Sequence, residues 1–176
     1  LAALGQSDIT ATTIERLESV SLLASATKLA PSQLAVAWGA IDTAGKKSLY
    51  RKLFLNKAVQ QIDPAFEPDA WGDFLTGGAV LGDHQSALIA AFRMREEDLA
   101  AILRVARVTD LGALRPLNPS VDLLNLANVS TLYRYVMLAK ALKLRVADLC
   151  TLVELFGASP FSTWDVQLNV FTAIAP

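Results

Sequence analysis

A nine-residue pattern occurs three times in this 176-residue chain and sets the terms for its fold. It reads ATKLAPSQL from Ala26 to Leu34, AFRMREEDL from Ala91 to Leu99, and ALKLRVADL from Ala141 to Leu149. Each copy opens on Ala, places a basic residue third (Lys28, Arg93, Lys143) and an apolar residue fourth, and closes on Gln or Asp followed by Leu. Each follows a Leu- and Ala-rich stretch of helical periodicity and precedes another, so the pattern marks a helix, a tight turn and a second helix. The second helices are expected to open near Pro31, Glu96 and Val146. Pro31 suits a first helical position, where its missing N–H has no intrahelical partner. Glu96, Glu97 and Asp98 place negative charge at the positive end of a helix dipole. The copies are unevenly spaced, which makes them a recurrent hairpin rather than a regular solenoid.

The rest of the chain agrees with helix. In STLYRYVMLAKAL, residues Leu132, Tyr135, Val136, Ala139 and Leu142 form one apolar stripe. Alternating strand patterns are scarce. The expected fold class is all-α: an irregular array of helical hairpins, with helix-turn-helix units near 22–41, 84–104 and 126–157. These make a single helical domain over 1–176 or a fragment of a larger one. Ser48 and Asn125 are expected to cap helices, and Gly157 to end one. Residues 61–78, with two prolines and three glycines, read as a long irregular crossing with room for one helical turn. Residues 42–48 and 115–122 read as loops, and a last helix is expected from Ser162 or Thr163.

Composition narrows the function classes. The chain is 53% hydrophobic and 19% charged, with mean hydropathy +0.37 and net charge −1. That is oilier than an ordinary domain of this size and implies surfaces that other parts of a larger assembly cover. Near-neutral charge argues against a nucleic-acid partner, which usually meets a basic face. No apolar run approaches the roughly 20 residues of a spanning helix. No signal peptide is visible at Leu1, and both ends are expected to be cut points in a longer polypeptide.

Few residues could carry chemistry. His84 is the single histidine and Cys150 the single cysteine, so an internal disulfide is impossible. Cys150 lies in an apolar helical stretch and reads as a small hydrophobe. His84 reads as a structural residue that opens a helix. Ser25 and Lys28 match a Ser-x-x-Lys pattern, but Lys28 is accounted for by the repeated turn. Asn128 begins a formal glycosylation sequon inside an expected helix. Arg93, Arg95, Arg104 and Arg107 read as a solvated face partnered by Glu96, Glu97 and Asp98. Residues 138–155 resemble a DNA-reading helix-turn-helix, yet the second helix opens apolar with Asp148, which repels phosphate. The carboxylates show no metal-ligand spacing. No catalytic, cofactor-binding or metal residue is assigned.

Two longer stretches carry a family resemblance. SLYRKLFLNKAV, Ser48 to Val59, followed by Asp63-Pro64-Ala65-Phe66, is similar to a signature of the large A components of bacterial insecticidal toxin complexes (Tc toxins). It is also similar to the related domain of Salmonella-type plasmid virulence protein A. Residues 126–161, LANVSTLYRYVMLAKALKLRVADLCTLVELFGASPF, resemble a second signature, and residues 75–103 the hairpin between them. The chain departs from the pattern at Val129, Thr131, Tyr135 and Arg145, positions that affect caps and surface. The resemblance covers roughly residues 22–161. It implies a segment of the α-helical shell around the channel of a secreted or cell-surface, pentameric, translocating virulence subunit. Its partners would be other domains of the same subunit and neighbouring subunits. Membrane contact would be made elsewhere, and no enzymatic role follows. The alternatives are a stand-alone helical adaptor or virulence effector and a DNA-binding helix-turn-helix protein. With one histidine, the segment offers little titration between pH 5 and 8 unless carboxylates are shifted.

Overall fold

The computed structural model describes residues 11–37, 39–110, 113–157 and 159–161. Within them α1 (Ala11–Thr27) leads into α2 (Pro31–Leu34), then α3 (Leu49–Phe54) and α4 (Lys57–Gln60). After an irregular stretch come α5 (Gln85–Phe92), α6 (Glu96–Val105), β1 (Arg107–Asp110), β2 (Ala113–Pro116), α7 (Leu126–Ala141) and α8 (Val146–Phe156). The second helices of all three repeats begin at the expected Pro31, Glu96 and Val146. The expected last helix lies outside the described residues.

The repeated turn has one backbone cause. Lys28, Arg93 and Lys143 each adopt left-handed backbone, with φ of 57°, 53° and 55°. At Arg93 and Lys143 the closing bonds are complete. Arg93 N–H donates to Ala90 O and Met94 N–H to Ile89 O; Lys143 N–H donates to Lys140 O and Leu144 N–H to Ala139 O. These paired bonds satisfy the last helical carbonyls and turn the chain, a position where glycine is the usual residue. The apolar fourth residue of the pattern is then the one that folds back on the helix it leaves.

The chain is mainly helical, but two expectations need correction. Residues 107–116 form an antiparallel pair, Arg107 opposite Pro116 and Asp110 opposite Ala113, so the fold is not strictly all-α. Each strand is four residues long, too short for alternation to stand out, and Pro116 sits at a strand end where a missing N–H is tolerated. Nor is the chain an array of like hairpins. The second helix of the first repeat is a single turn, running into a 3₁₀ turn at Ala35–Ala37, against ten residues in α6 and eleven in α8.

α7 is the central element. Asn125 caps it by accepting from Asn128 N–H at 2.8 Å, and Leu132, Tyr133, Tyr135, Val136, Leu138 and Ala139 are all buried. A helix buried almost all round must have neighbours on every side. α8 and α6 cover part of it, β1 another, and the segment after α2 a third. That segment is pinned by polar bonds: Ile41 N–H donates to Ser130 Oγ at 2.9 Å, and Arg134 donates to the carbonyls of Val36 (2.8 Å) and Gly39 (3.1 Å).

The stretch from α3 to α5 packs through rings. Tyr50, Phe54, Phe66 and Phe92 are fully buried. Phe54 stacks on Phe66 with centroids 4.7 Å apart and meets Tyr50 at 4.9 Å and Phe92 at 5.7 Å; Phe92 reaches Tyr133 of α7 at 5.3 Å. Ser48 caps α3 and Asn56 caps α4, as side-chain acceptors for Arg51 N–H and for Ala58 and Val59 N–H. The crossing contains the expected single turn, Pro64–Phe66, capped by Asp63. Gly82 is a glycine by necessity. A Cβ there would lie 2.7 Å from Pro119 O, where Gly82 N–H donates at 2.8 Å and stitches the crossing to the loop before α7.

Candidate functional site

The single histidine ends the 3₁₀ turn Leu81–His84 and begins α5. Its Nδ1 lies 2.5 Å from Asp63 Oδ2, with both side chains largely shielded, and Phe66 sits edge-on to its ring at 6.2 Å. The other Asp63 oxygen accepts from Ala65 N–H at 2.9 Å. Asp63 therefore serves two structural ends, capping a turn and clamping it to α5. A His–carboxylate pair is half of a general-base arrangement. Here it ties the irregular crossing to the helix that follows. Nothing in the sequence connected residues 21 positions apart.

Cys150 occupies the expected core position, fully buried between α8 and its neighbours. Burial pushes its thiol up to about 12, so it stays protonated and a poor nucleophile. Ser25 donates to Ser21 O one turn back, and Lys28 ends its helix, so the Ser-x-x-Lys pair is used by the backbone. Asn128 is buried and donates to Leu123 O at 2.8 Å, which places the sequon asparagine inside the fold.

The arginine cluster is rearranged relative to expectation. Arg95 does pair with Glu97, and Arg95 N–H is accepted by Asp98. Arg104 instead pairs with Glu154 of α8 at 3.0 Å, joining the second helices of two repeats. Arg107 donates to the carbonyls of Arg104 and Ala106. Arg145 is held by Asp148 at 2.7 Å across the opening turn of α8, which neutralises the front of the helix that would have to face DNA.

Asp122, Asp148 and Asp69 all lie below the ordinary carboxylate range. Arg115 hydrogen bonds hold Asp122 down, Arg145 holds Asp148, and the Asp73 N–H holds Asp69. These shifts move carboxylates away from the pH 5–8 window.

What the surface offers is apolar. Along α8, Leu149 and Cys150 face inward, while Leu152, Leu155 and Phe156 are exposed, Leu155 and Phe156 at 77% and 76%. Leu155 lies away from the inward side, Leu152 borders it, and Phe156, seven residues after Leu149, continues its line past the end of the core. Leu114, Val121 and Leu123 are also exposed, around β2 and the loop after it, and Leu22 stands out on α1. A groove of about 600 Å³ lies between β1, α7 and Phe161, with Arg107 and Arg134 in its walls, but those guanidiniums are already donating to backbone carbonyls. Among the described residues, no helix is long and apolar enough to cross a membrane. Comparison with protein-family models, with curated proteins and with solved structures found no match.

Proposed function

We propose that this chain is a structural and interaction segment of the A subunit of a bacterial Tc-type toxin, part of the helical shell around its translocation channel. The observation that carries this reading is the second half of α8, where Leu152, Leu155 and Phe156 stay exposed and so need a cover that the described residues do not supply. The resembling signatures support it in a second way, because their distinctive residues have packing or capping work. Ser48 and Asn56 are caps, Tyr50 and Phe54 are core rings, and Tyr133 fills the centre of α7, whereas Val129 and Tyr135, where the chain departs from the pattern, are core residues and not the surface ones expected. In this reading the exposed Leu152, Leu155 and Phe156 meet another domain of the same subunit or a neighbouring subunit, outside the cell that made it. The chain carries no catalytic step, takes no cofactor, and leaves membrane contact to other segments. The exposed apolar residues in the second half of α8 and its neutralised front favour a protein partner over DNA.

The test is made on the complete gene product. Its expected behaviour is a polypeptide many times longer than this chain, sizing as a pentamer by light scattering and conducting ions across planar bilayers. A complete product of about this length that stays monomeric and leaves bilayers insulating would overturn the proposal in favour of a stand-alone adaptor.

A further inference from the structure

A second cavity, of about 340 Å³, opens where the first repeat's turn, α3, the end of α5 and α7 come together. Lys52, Arg93 and Lys140 border it, and among the described residues its lining contains no carboxylate. None of the three makes an ion pair with a described residue. Arg93 and Lys140 also border a neighbouring cavity that holds Glu97 and Asp98, but Glu97 pairs with Arg95 and Asp98 accepts from Arg95 N–H, so with Lys52 the two cations leave an excess of positive charge on this side of a chain of net charge −1. Lys140 is also shifted below the ordinary lysine range, first by burial and then by the like charge of Arg93, so the two cations feel one another.

The floor adds a neutral donor with a fixed direction. Ala30 N–H donates to Gln33 Oε1 at 3.1 Å, which orients the amide so that Gln33 Nε2 donates to Tyr133 Oη at 3.2 Å. The Tyr133 oxygen is thereby an acceptor, which leaves its own O–H as a donor on a residue that lines the cavity. Tyr133 is 1% exposed, and burial holds the phenol protonated. The site offers three cations and a phenol hydroxyl, set on three separate segments, α3, the end of α5 and α7.

We propose that this cavity binds a phosphomonoester group. A tetrahedral dianion presents three acceptor oxygens to donors arriving from several directions, whereas a monocarboxylate presents two in one plane. The volume admits the phosphate with a small organic remainder. The proposal rests on the cavity alone and stands whether or not the chain belongs to a toxin.

The test uses the full chain and glycerol phosphate, titrated by NMR at low, constant ionic strength because salt screens such sites. Saturable shifts at the Tyr133, Gln33 and Arg93 amides are expected, with acetate at equal ionic strength giving none. The doubly substituted Lys52→Gln, Lys140→Gln chain is expected to bind about tenfold or more weakly, a loss of about 1.4 kcal/mol or more. Neither residue belongs to the core, so the fold should survive, as melting by circular dichroism would show. Lys47→Gln, an exposed lysine outside the cavity, is the control and should bind as the parent does. Vesicles containing phosphatidic acid identify the source: binding to them as well admits lipid headgroups, and glycerol phosphate alone restricts the site to solutes. Absence of saturation by either probe, equal shifts with acetate, or equal weakening in the control would overturn the proposal.

Discussion

α7 and the crossing between α4 and α5 are held together by opposite means. α7 spends its polar backbone on itself and buries side chains on nearly every face, so its stability is spread over many apolar contacts. The crossing has almost no regular backbone bonding. Its turns are closed by side chains, Asp63 on Ala65, and Asp69 on Trp71 and Asp73. Its packing rests on a few rings, and Tyr50 Oη donates to Phe66 O at 3.0 Å to fix their level. A region built from a few specific contacts should be fragile at single positions, while a helix buried all round should absorb a loss at any one.

The sharpest way to break that contrast is Phe54→Ala. Phe54 touches Tyr50, Phe66 and Phe92, so its removal opens a cavity beneath the crossing and should cost about 3–5 kcal/mol in urea unfolding. Ala139→Gly in α7, which also removes a buried methyl but leaves the rings alone, should cost nearer 1 kcal/mol. Comparable losses for the two would mean that the aromatic cluster is no more critical than the helix.

Next in size is Asp63→Ala, which removes a cap and leaves His84 shielded without its carboxylate. The expected loss is about 1–3 kcal/mol, with faster amide exchange across residues 61–84 before global unfolding. Exchange unchanged in that stretch would show that the clamp does not hold the crossing.

Asp122→Asn should cost about 1–2 kcal/mol at neutral pH by weakening the Arg115 and Asn118 bonds to a buried carboxylate. Because the folded state depresses this carboxyl, its contribution is present above the unfolded value near 4 and is lost as pH falls through the lower folded value. The gap between parent and variant should therefore narrow from pH 7 toward pH 3. A gap that stays constant would assign the effect to packing.

Much of the helical frame was legible because its signals are local. A cap, a first-turn proline and a three-to-four spacing act within a few residues, so Ser48, Pro31, Asn125 and the α7 stripe could be placed from sequence. The β1–β2 pair could not, because four-residue strands carry no periodicity and their support, each other and the packing of β1 on α7 and of β2 on α6, is distant in sequence or set by the fold. The Asp63–His84 clamp and the Arg104–Glu154 bridge were hidden for another reason. Each depends on where two helices land in space, and nothing near either residue encodes that. The same holds for the cavity of Lys52, Arg93 and Lys140, whose cations look like ordinary surface charge until α3, α5 and α7 are brought together. The apolar excess was visible in composition, but only the fold places part of it, exposed, in the second half of α8.

The smallest effect probes the repeat itself. Lys143 holds left-handed backbone at the end of α7 with φ 55°, and Gly157 holds the same conformation at the end of α8 with φ 63°. Left-handed backbone costs a residue with a Cβ roughly 1–2 kcal/mol, while glycine brings about 0.5–1 kcal/mol of extra unfolded-chain entropy. The balance favours glycine slightly, so Lys143→Gly should stabilise by about 0.5 kcal/mol, a rise of about 1–2 °C in Tm. Gly157→Ala should cost about 1 kcal/mol, since no neighbour lies within 4 Å of the new methyl and only the backbone objects. If Lys143→Gly destabilises instead, the lysine stem contributes packing at the turn that offsets the strain. A basic third residue would then be part of what makes the repeated turn, and a glycine would not be able to replace it.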